Sequence, residues 1–243
     1  MGNLFKHIVV DTNERSAAPE IMDDFSMEGE VLRDALDKIA SINQLLGGNK
    51  VTLEGIELLI REQPKDAPVR ITDIGCGNGD MLRALADYAI KNKLNFILHG
   101  IDANNYTIEH ARNLSSDYQN ISYECTDIFD RQKPLQTCEI FLCTLTLHHF
   151  KDEEIVSLLG RFREAARIGF VINDLQRSAL AYYLFQALCF VFRLNYMSRE
   201  DGLVSILRGF KRADLLSYTK KLELKNFLIR WKWAFRYQWI VKL

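Results

Sequence analysis

Two clusters in this 243-residue chain have residue types and spacings suited to chemistry. The first is Thr72-Asp73-Ile74-Gly75-Cys76-Gly77-Asn78-Gly79-Asp80, an apolar run ending in three alternate glycines and an acid. Glycines let a backbone turn sharply and approach a ligand closely. A pyrophosphate loop reads G-x-G-x-x-G, whereas here the spacing is G-x-G-x-G with Asp80 directly after it, and the added carboxylate suits a cationic ligand better. Further on, His99-Gly100-Ile101-Asp102-Ala103-Asn104 places an acid at the end of a second apolar run, where a carboxylate accepts both hydroxyls of a ribose. Each feature alone also reads as a turn or a solvated strand end. In order, on successive elements, they read as one ligand site.

The second cluster is Thr144-Leu145-Thr146-Leu147-His148-His149-Phe150, followed by Asp152, Glu153 and Glu154 as a helix cap and first turn. Imidazoles titrate near neutrality, so His148 or His149 can act as a general base; capping and backbone hydrogen bonding are the competing readings. No further Cys or His stands at ligand spacing, so no metal is expected. Asn173 and Asp174 end another apolar run and either cap the next helix or touch a substrate. Arg177 is a candidate anion anchor. Asp127, in Cys125-Thr126-Asp127-Ile128, reads by itself as a turn residue.

These residues need a scaffold that brings loop ends together. Val69–Ile74, Phe96–Ile101, Ile121–Cys125, Glu139–Cys143 and Ile168–Ile172 read as strands alternating with helical patterns, which implies a parallel sheet with helices on both faces. Trp231, Trp233, Phe235, Tyr237, Trp239 and Val241 alternate with polar residues as a half-buried strand, pairing with Leu222–Ile229 in an antiparallel hairpin. Before Pro68, Leu32, Ala35, Leu36, Ile39, Ile42, Leu45 and Leu46 recur at helical spacing until Gly47 and Gly48, and a second helix is expected after Thr52 as its cap. The expected architecture is α/β: a Rossmann-like three-layer sandwich on a mostly parallel seven-stranded sheet, with N-terminal helices and a helical lid. Residues 1–67 form the N-terminal helical segment; 68–243 form the domain, with a helical insertion at about 178–210.

The glycine motif Asp73-Ile74-Gly75-Cys76-Gly77-Asn78-Gly79 resembles that of the class I S-adenosylmethionine-dependent methyltransferases, over Val69 to about Asp174. The resemblance implies that Gly75, Gly77 and Gly79, with Cys76, lie along the methionine and ribose of S-adenosylmethionine, the product being S-adenosylhomocysteine. It implies that Asp73 holds the amino end and that Asp102, with Ala103, takes the ribose hydroxyls. Asp127 then receives the adenine amino group, Ile128 flanks the ring, and Thr144 borders the site. The apolar stretch Leu180–Phe192 and the segment Met197–Arg208 resemble the acceptor-binding insertion of that family, with Tyr182, Tyr183, Phe185 and Tyr196 lining a hydrophobic lid and Arg208 nearby; helix packing or a homodimer contact is the other reading. Arg15, Pro19–Asp24, Asn173-Asp174-Leu175 and Ser205–Phe210 resemble more weakly the methyltransferases associated with type III polyketide synthases, implying a phenolic or polyketide-like acceptor. A quinone-ring C-methyltransferase is the near alternative. A nicotinamide-dependent oxidoreductase is disfavoured by the missing glycine and by Asp80, and a noncatalytic cofactor-binding protein completes the set.

Composition narrows the partners. With 31 Lys and Arg against 32 Asp and Glu, no strong field draws the chain to nucleic acid or an anionic membrane, which leaves a small-molecule acceptor. Lys220-Lys221 and Trp231-Lys232-Trp233 read as solvated faces rather than a nucleic-acid stripe. Cys76, Cys125, Cys138, Cys143 and Cys189 form no C-x-x-C pair and read as reduced thiols of a cytoplasmic protein. Met1–Val10 lacks the pattern of a signal peptide, and Ala179–Phe192 falls short of the roughly 20 residues of a transmembrane span.

Overall fold

A computed structural model describes residues 10–130 and 132–243, so the expectation about a leader lies, but for Val10, outside the described residues. A 3-10 turn at Ile21–Asp23 precedes α1 (Glu30–Leu45) and α2 (Gly48–Ile60). The alternating part follows as β1 (Pro68–Ile74), α3 (Asp80–Asn92), β2 (Asn95–Asp102), α4 (Asn105–Leu114), β3 (Ile121–Cys125), β4 (Cys138–Thr144), α5 (Asp152–Ala165) and β5 (Ala166–Leu175). Then come α6 (Ala179–Phe192), α7 (Tyr196–Arg208), α8 (Arg212–Lys221), β6 (Phe227–Lys232) and β7 (Arg236–Lys242).

The sheet order is β3-β2-β1-β4-β5-β7-β6. β1 to β5 run parallel, and β7 inserts antiparallel between β5 and β6. The expected Rossmann-like sheet with its antiparallel end is therefore present. Side-chain alternation divides the core: from β4, Phe141 and Cys143 join Leu158, Phe162 and Tyr218 of α5 and α8, while Ile140 and Leu142 join Ile56, Leu82 and Ile108 of α2, α3 and α4. Both faces are covered, which is why the central strands are apolar nearly throughout.

Several local expectations are corrected. The second helix begins at Gly48, directly after Gly47 turns through φ 75°; Thr52 lies buried within it, its hydroxyl 3.1 Å from that of Thr144, and caps nothing. Lys151, not Asp152, holds the cap position of α5, its N–H donating to Glu154 at 2.8 Å. The C-terminal alternation is not one strand, because the chain reverses through Trp233–Phe235, leaving Trp231 in β6 and Leu222 at the end of α8. β7 is buried on both faces because Tyr237, Trp239 and Val241 pack with the α5 and α8 side chains and Ile240 packs with those of α2. The turn escaped the period-two reading because Trp-Ala-Phe carries no Gly, Pro, Asn or Asp.

α1, α6 and α7 gather over the carboxyl ends of β4 and β5, the side on which open α/β sheets bind ligands. One side of α6 faces this assembly, whereas Leu180, Phe190 and Val191 are 59, 87 and 72% exposed, so nothing among the described residues covers that side of the helix. No helix among the described residues is long and apolar enough to cross a membrane.

Gly55 lets α2 lie close on the sheet: a Cβ there would stand 2.7 Å from Val171 Cγ1 in β5. Gly55→Leu is expected to lower stability by about 2–3 kcal/mol through overpacking. An unchanged denaturant midpoint would remove this close approach from the account.

Candidate active site

The site starts at the turn that ends β1. Gly75 adopts φ 69°, and its N–H and that of Cys76 both donate to Ile101 O, at 2.8 and 3.1 Å, which ties the loop to β2. A Cβ on Gly75 would stand 2.5 Å from Thr146 Oγ1, whose hydroxyl donates to Gly75 O at 3.1 Å. The glycine loop and the histidine loop are therefore joined at that point. Gly77, at φ 52°, has open space on its Cβ side, with Leu36 the nearest neighbour at 3.9 Å. Its N–H donates to Asp102 Oδ2 at 3.1 Å, while Asp102 Oδ1 accepts from Asn104 N–H at 3.0 Å.

Around this loop lies a cavity of about 530 Å³, within the usual range for small-molecule sites. Asp73, Gly75, Cys76 and Gly77 line it from β1, Asp102 and Ala103 from β2, Asp127 and Ile128 from the loop after β3, and Thr144 from β4. Gly79 does not; it packs against Tyr123. Asp127 also realises the turn reading, its carboxylate accepting Phe129 N–H at 2.8 Å.

The electrostatics of this cavity are one-sided. Asp73 is buried with Oδ1 unpartnered, and burial, then the charges of Asp80 and Asp102, push its carboxyl up to about 8. Burial also raises Asp80 and Asp102. No Lys or Arg lines the cavity among the described residues. A donor set of carboxylates around an orphaned acid and an open glycine face fits a ligand that carries positive charge and a ribose.

A second cavity, of about 280 Å³, opens beside the first. Its walls are apolar side chains such as Ile39 and Ile42 of α1, Phe185 and Leu188 of α6, Ile206 of α7, and Trp233 and Phe235 of the hairpin turn. Met22, Ile39, Asn43, Leu145 and His149 line both cavities and mark where they meet. Leu145 holds φ 54°, a left-handed conformation costing a non-glycine residue about 1–3 kcal/mol, fixed by its N–H donating to Asn173 O at 2.9 Å.

At the base of the second cavity His148 is 2% exposed and His149 is partly exposed, their ring centroids 4.3 Å apart. His148 Nδ1 lies 2.7 Å from Asp174 Oδ1, and His149 Nδ1 lies 2.7 Å from Asp23 Oδ1. Glu20, 5% exposed, accepts from the Ser205 hydroxyl at 2.7 Å through Oε2. Burial raises its carboxyl to about 7. Burial acts the same way on Asp23 and Asp174, but hydrogen bonds and charge from His149 and Arg208, and from His148, hold those two below the usual carboxylate range.

Other expected contacts have different places. Asp174 lines neither cavity and orients His148; Asn173 lines neither and donates to Gly48 O and Thr52 Oγ1, both at 3.0 Å. Arg177 is no anion anchor here: it donates to Thr12 O and Gly209 O and pairs with Asp214 at 3.1 Å. Arg208 binds the histidine loop, donating to His148 O at 3.2 Å, to His149 O, and to Asp23 Oδ2 at 2.6 Å. Tyr182, Tyr183 and Tyr196 lie off the cavity lining, Tyr196 being 68% exposed. Glu20 and Arg236 were missed as site residues. Arg236 alternates like a solvated strand position, yet it is 3% exposed and lines the apolar cavity with Nε and Nη1 unpartnered, its guanidinium lowered to about 10 by burial.

Residues 71–169 match the family model described as a methyltransferase domain. No curated protein matches the sequence. Among solved structures, the chain is similar to the plantazolicin methyltransferase BpumL in complex with SAH, at 15% identity over 87% of this chain and 93% of that one, with a TM-score of 0.62. It is similar also to magnesium protoporphyrin IX methyltransferase from Synechocystis PCC 6803 with bound SAM, at 14% identity, 91 and 88% coverage and a TM-score of 0.53. Human N-acetylserotonin methyltransferase in complex with SAM gives 13% identity and a TM-score of 0.62, over 89% of this chain and 56% of that one. At these identities the neighbours speak for the fold. The chain thus carries a methyltransferase domain over residues 71–169, on a fold that it shares with these SAM- and SAH-bound methyltransferases.

Proposed function

We propose that this protein methylates a small hydrophobic acceptor, an aromatic or polyketide-like phenol, held in the apolar cavity. One observation carries the reading: the acid-lined cavity opens onto the apolar one at Leu145 and His149. S-adenosylmethionine supplies a methyl group made electrophilic by its sulfonium. Asp73 and Asp80 hold positive charge, Gly75 and Gly77 let the backbone approach, Asp102 accepts ribose hydroxyls, and Asp127 and Ile128 border the adenine. His149, at the junction, is placed to receive the acceptor's proton, and Asp174 fixes the ring of His148 beside it. Asn43 and Arg236, with Glu20 and the two histidines, bring polar groups into a largely apolar acceptor wall. The exposed apolar side of α6 suits a homodimer contact, and the unpaired thiols of Cys76, Cys125, Cys138, Cys143 and Cys189 suit the cytoplasm.

Calorimetric titration is expected to show saturable binding of S-adenosylmethionine and S-adenosylhomocysteine but not of NADH. Asp102→Ala should weaken both by about 2–3 kcal/mol, as hydrogen bonds to a charged group are lost; a folded variant with unchanged affinity takes Asp102 out of the site. Because Asp73 is raised to about 8 in the free protein, a cationic ligand displaces its proton on binding. Affinity for S-adenosylmethionine should therefore rise as pH goes from about 6 to 7.5, by at most about tenfold per unit. A flat profile contradicts the role given to Asp73. Mass spectrometry of products from a phenol panel tests the acceptor class, and fragmentation separates oxygen from ring-carbon methylation. Arg236→Met is expected to raise the acceptor KM about tenfold or more while cofactor affinity stays put, a loss of roughly 1.4 kcal/mol or more of acceptor binding. Product formation with another acceptor class and none with phenols would end the phenol reading.

A further inference from the structure

Glu20, His148 and His149 converge in a way that proton transfer alone does not require. Each imidazole has its Nδ1 against a carboxylate, Asp174 for His148 and Asp23 for His149, both at 2.7 Å. A carboxylate accepts only, so each neutral ring carries its hydrogen on Nδ1 and leaves the Nε2 lone pair bare. Both Nε2 atoms turn toward Glu20, His148 Nε2 lying 3.6 Å from Oε1 and His149 Nε2 lying 3.8 Å from Oε2. These gaps are too long for a hydrogen bond, which spans about 2.7–3.2 Å. His148 Nε2 and Glu20 Oε1 are both buried and have no hydrogen-bond partner. Arg208 Nη1, 3.6 Å from Oε1, answers part of the carboxylate's charge, but the Nε2 lone pairs face that carboxylate with no donor of their own, an arrangement that is costly in a buried site unless a cation sits among them.

We infer that Glu20, His148 and His149 bind one divalent transition-metal ion, through a carboxylate oxygen and the two Nε2 atoms. The three ligand atoms lie within 4.8 Å of one another. Donors around a tetrahedral ion at about 2.1 Å stand roughly 3.4 Å apart, so the 3.6 and 3.8 Å approaches are near that spacing, while the widest pair, up to 4.8 Å, closes by as much as about 1.4 Å on binding. Two imidazoles with one carboxylate select zinc, cobalt or ferrous ion; magnesium and calcium prefer all-oxygen sites. The outer groups match what metal-bound histidines need: Asp174 and Asp23 hold the Nδ1 sides, and Ser205 donates to Glu20 Oε2. Spacing along the sequence gave no warning, because Glu20 lies far from the histidine pair and the 3-10 turn after it, with Arg208, brings it in.

The three ligands all line the apolar cavity, and His149 also lines the cofactor cavity. Resting on the methyltransferase reading, the open positions of the ion take a hydroxyl or carbonyl oxygen of the acceptor. That choice selects acceptors presenting an oxygen donor ahead of plain hydrocarbon rings. With the ion bound, His149 Nε2 is a ligand and no longer the base, and a coordinated hydroxyl would lose its proton to solvent instead.

The test uses the full chain, stripped with a chelator and dialysed. Titration with Co²⁺, followed by the visible d–d absorption of a low-coordinate site, is expected to saturate at one ion per chain and to be reversed by Zn²⁺. Glu20→Gln and His149→Gln should each weaken Co²⁺ binding about a hundredfold, whereas His99→Gln, whose ring contacts Ser122 on β3, should not. A cooperative thermal unfolding transition followed by circular dichroism reports folding of each variant, and His149→Gln, at the least buried ligand, decides the matter should Glu20→Gln fail to fold. No saturable Co²⁺ signal, or equal affinity in the folded variants, overturns the metal site. Cofactor binding without Co²⁺ binding sinks the metal site alone. Co²⁺ binding without cofactor binding upholds it and sinks the methyltransferase reading instead.

Discussion

Arg208 is a buried guanidinium, and a buried positive charge must be matched wherever the chain places it. It meets Asp23 from the N-terminal turn and the carbonyls of His148 and His149 from the loop after β4, while Glu20 lies 3.6 Å away. Arg15 adds a second guanidinium, donating to His148 O, Phe150 O and Arg208 O at 3.0, 3.0 and 2.9 Å. Three segments distant in sequence are bound into one body by these bonds. Breaking such a network by removing one partner typically costs about 3–5 kcal/mol, so the segment before α1 is structural to the acceptor side and not a loose extension.

The two cavities differ in electrostatic character because different elements build them. Strand ends contribute Asp73, Asp102 and Asp127 to the first, where no Lys or Arg among the described residues answers them. Helices and the hairpin turn contribute hydrocarbon to the second, where Arg236 stands without a hydrogen-bond partner on Nε or Nη1. Buried groups of opposite sign are thus left short of hydrogen-bond partners, Asp73 in one cavity and Arg236 in the other.

What the sequence revealed follows the range of the forces involved. The glycine loop was legible because positive φ at Gly75 and Gly77 must be written into the residues that adopt it. The parallel strands were legible because burial on both faces leaves apolar runs. Glu20 was not legible as a site residue, since its partners lie far along the chain and nothing beside it marks the contact. Arg236 was hidden for a related reason: its strand looks half solvated until β7 is seen covered on both faces. Asn173 and Arg177 sat at a position where ligand-binding residues are common, yet their side chains were claimed by the backbones of Gly48, Thr12 and Gly209.

Leu145 gives the junction a mechanical character. A glycine would hold φ 54° without strain, so the leucine keeps its conformation at the expense of stability, and its side chain borders both cavities. Such a side chain acts as a fixed stop: anchored by a backbone bond to Asn173, it keeps its place between the two cavities. The width of the passage there depends in part on the size of this one residue, and trimming or enlarging it would change that width without altering any charged group.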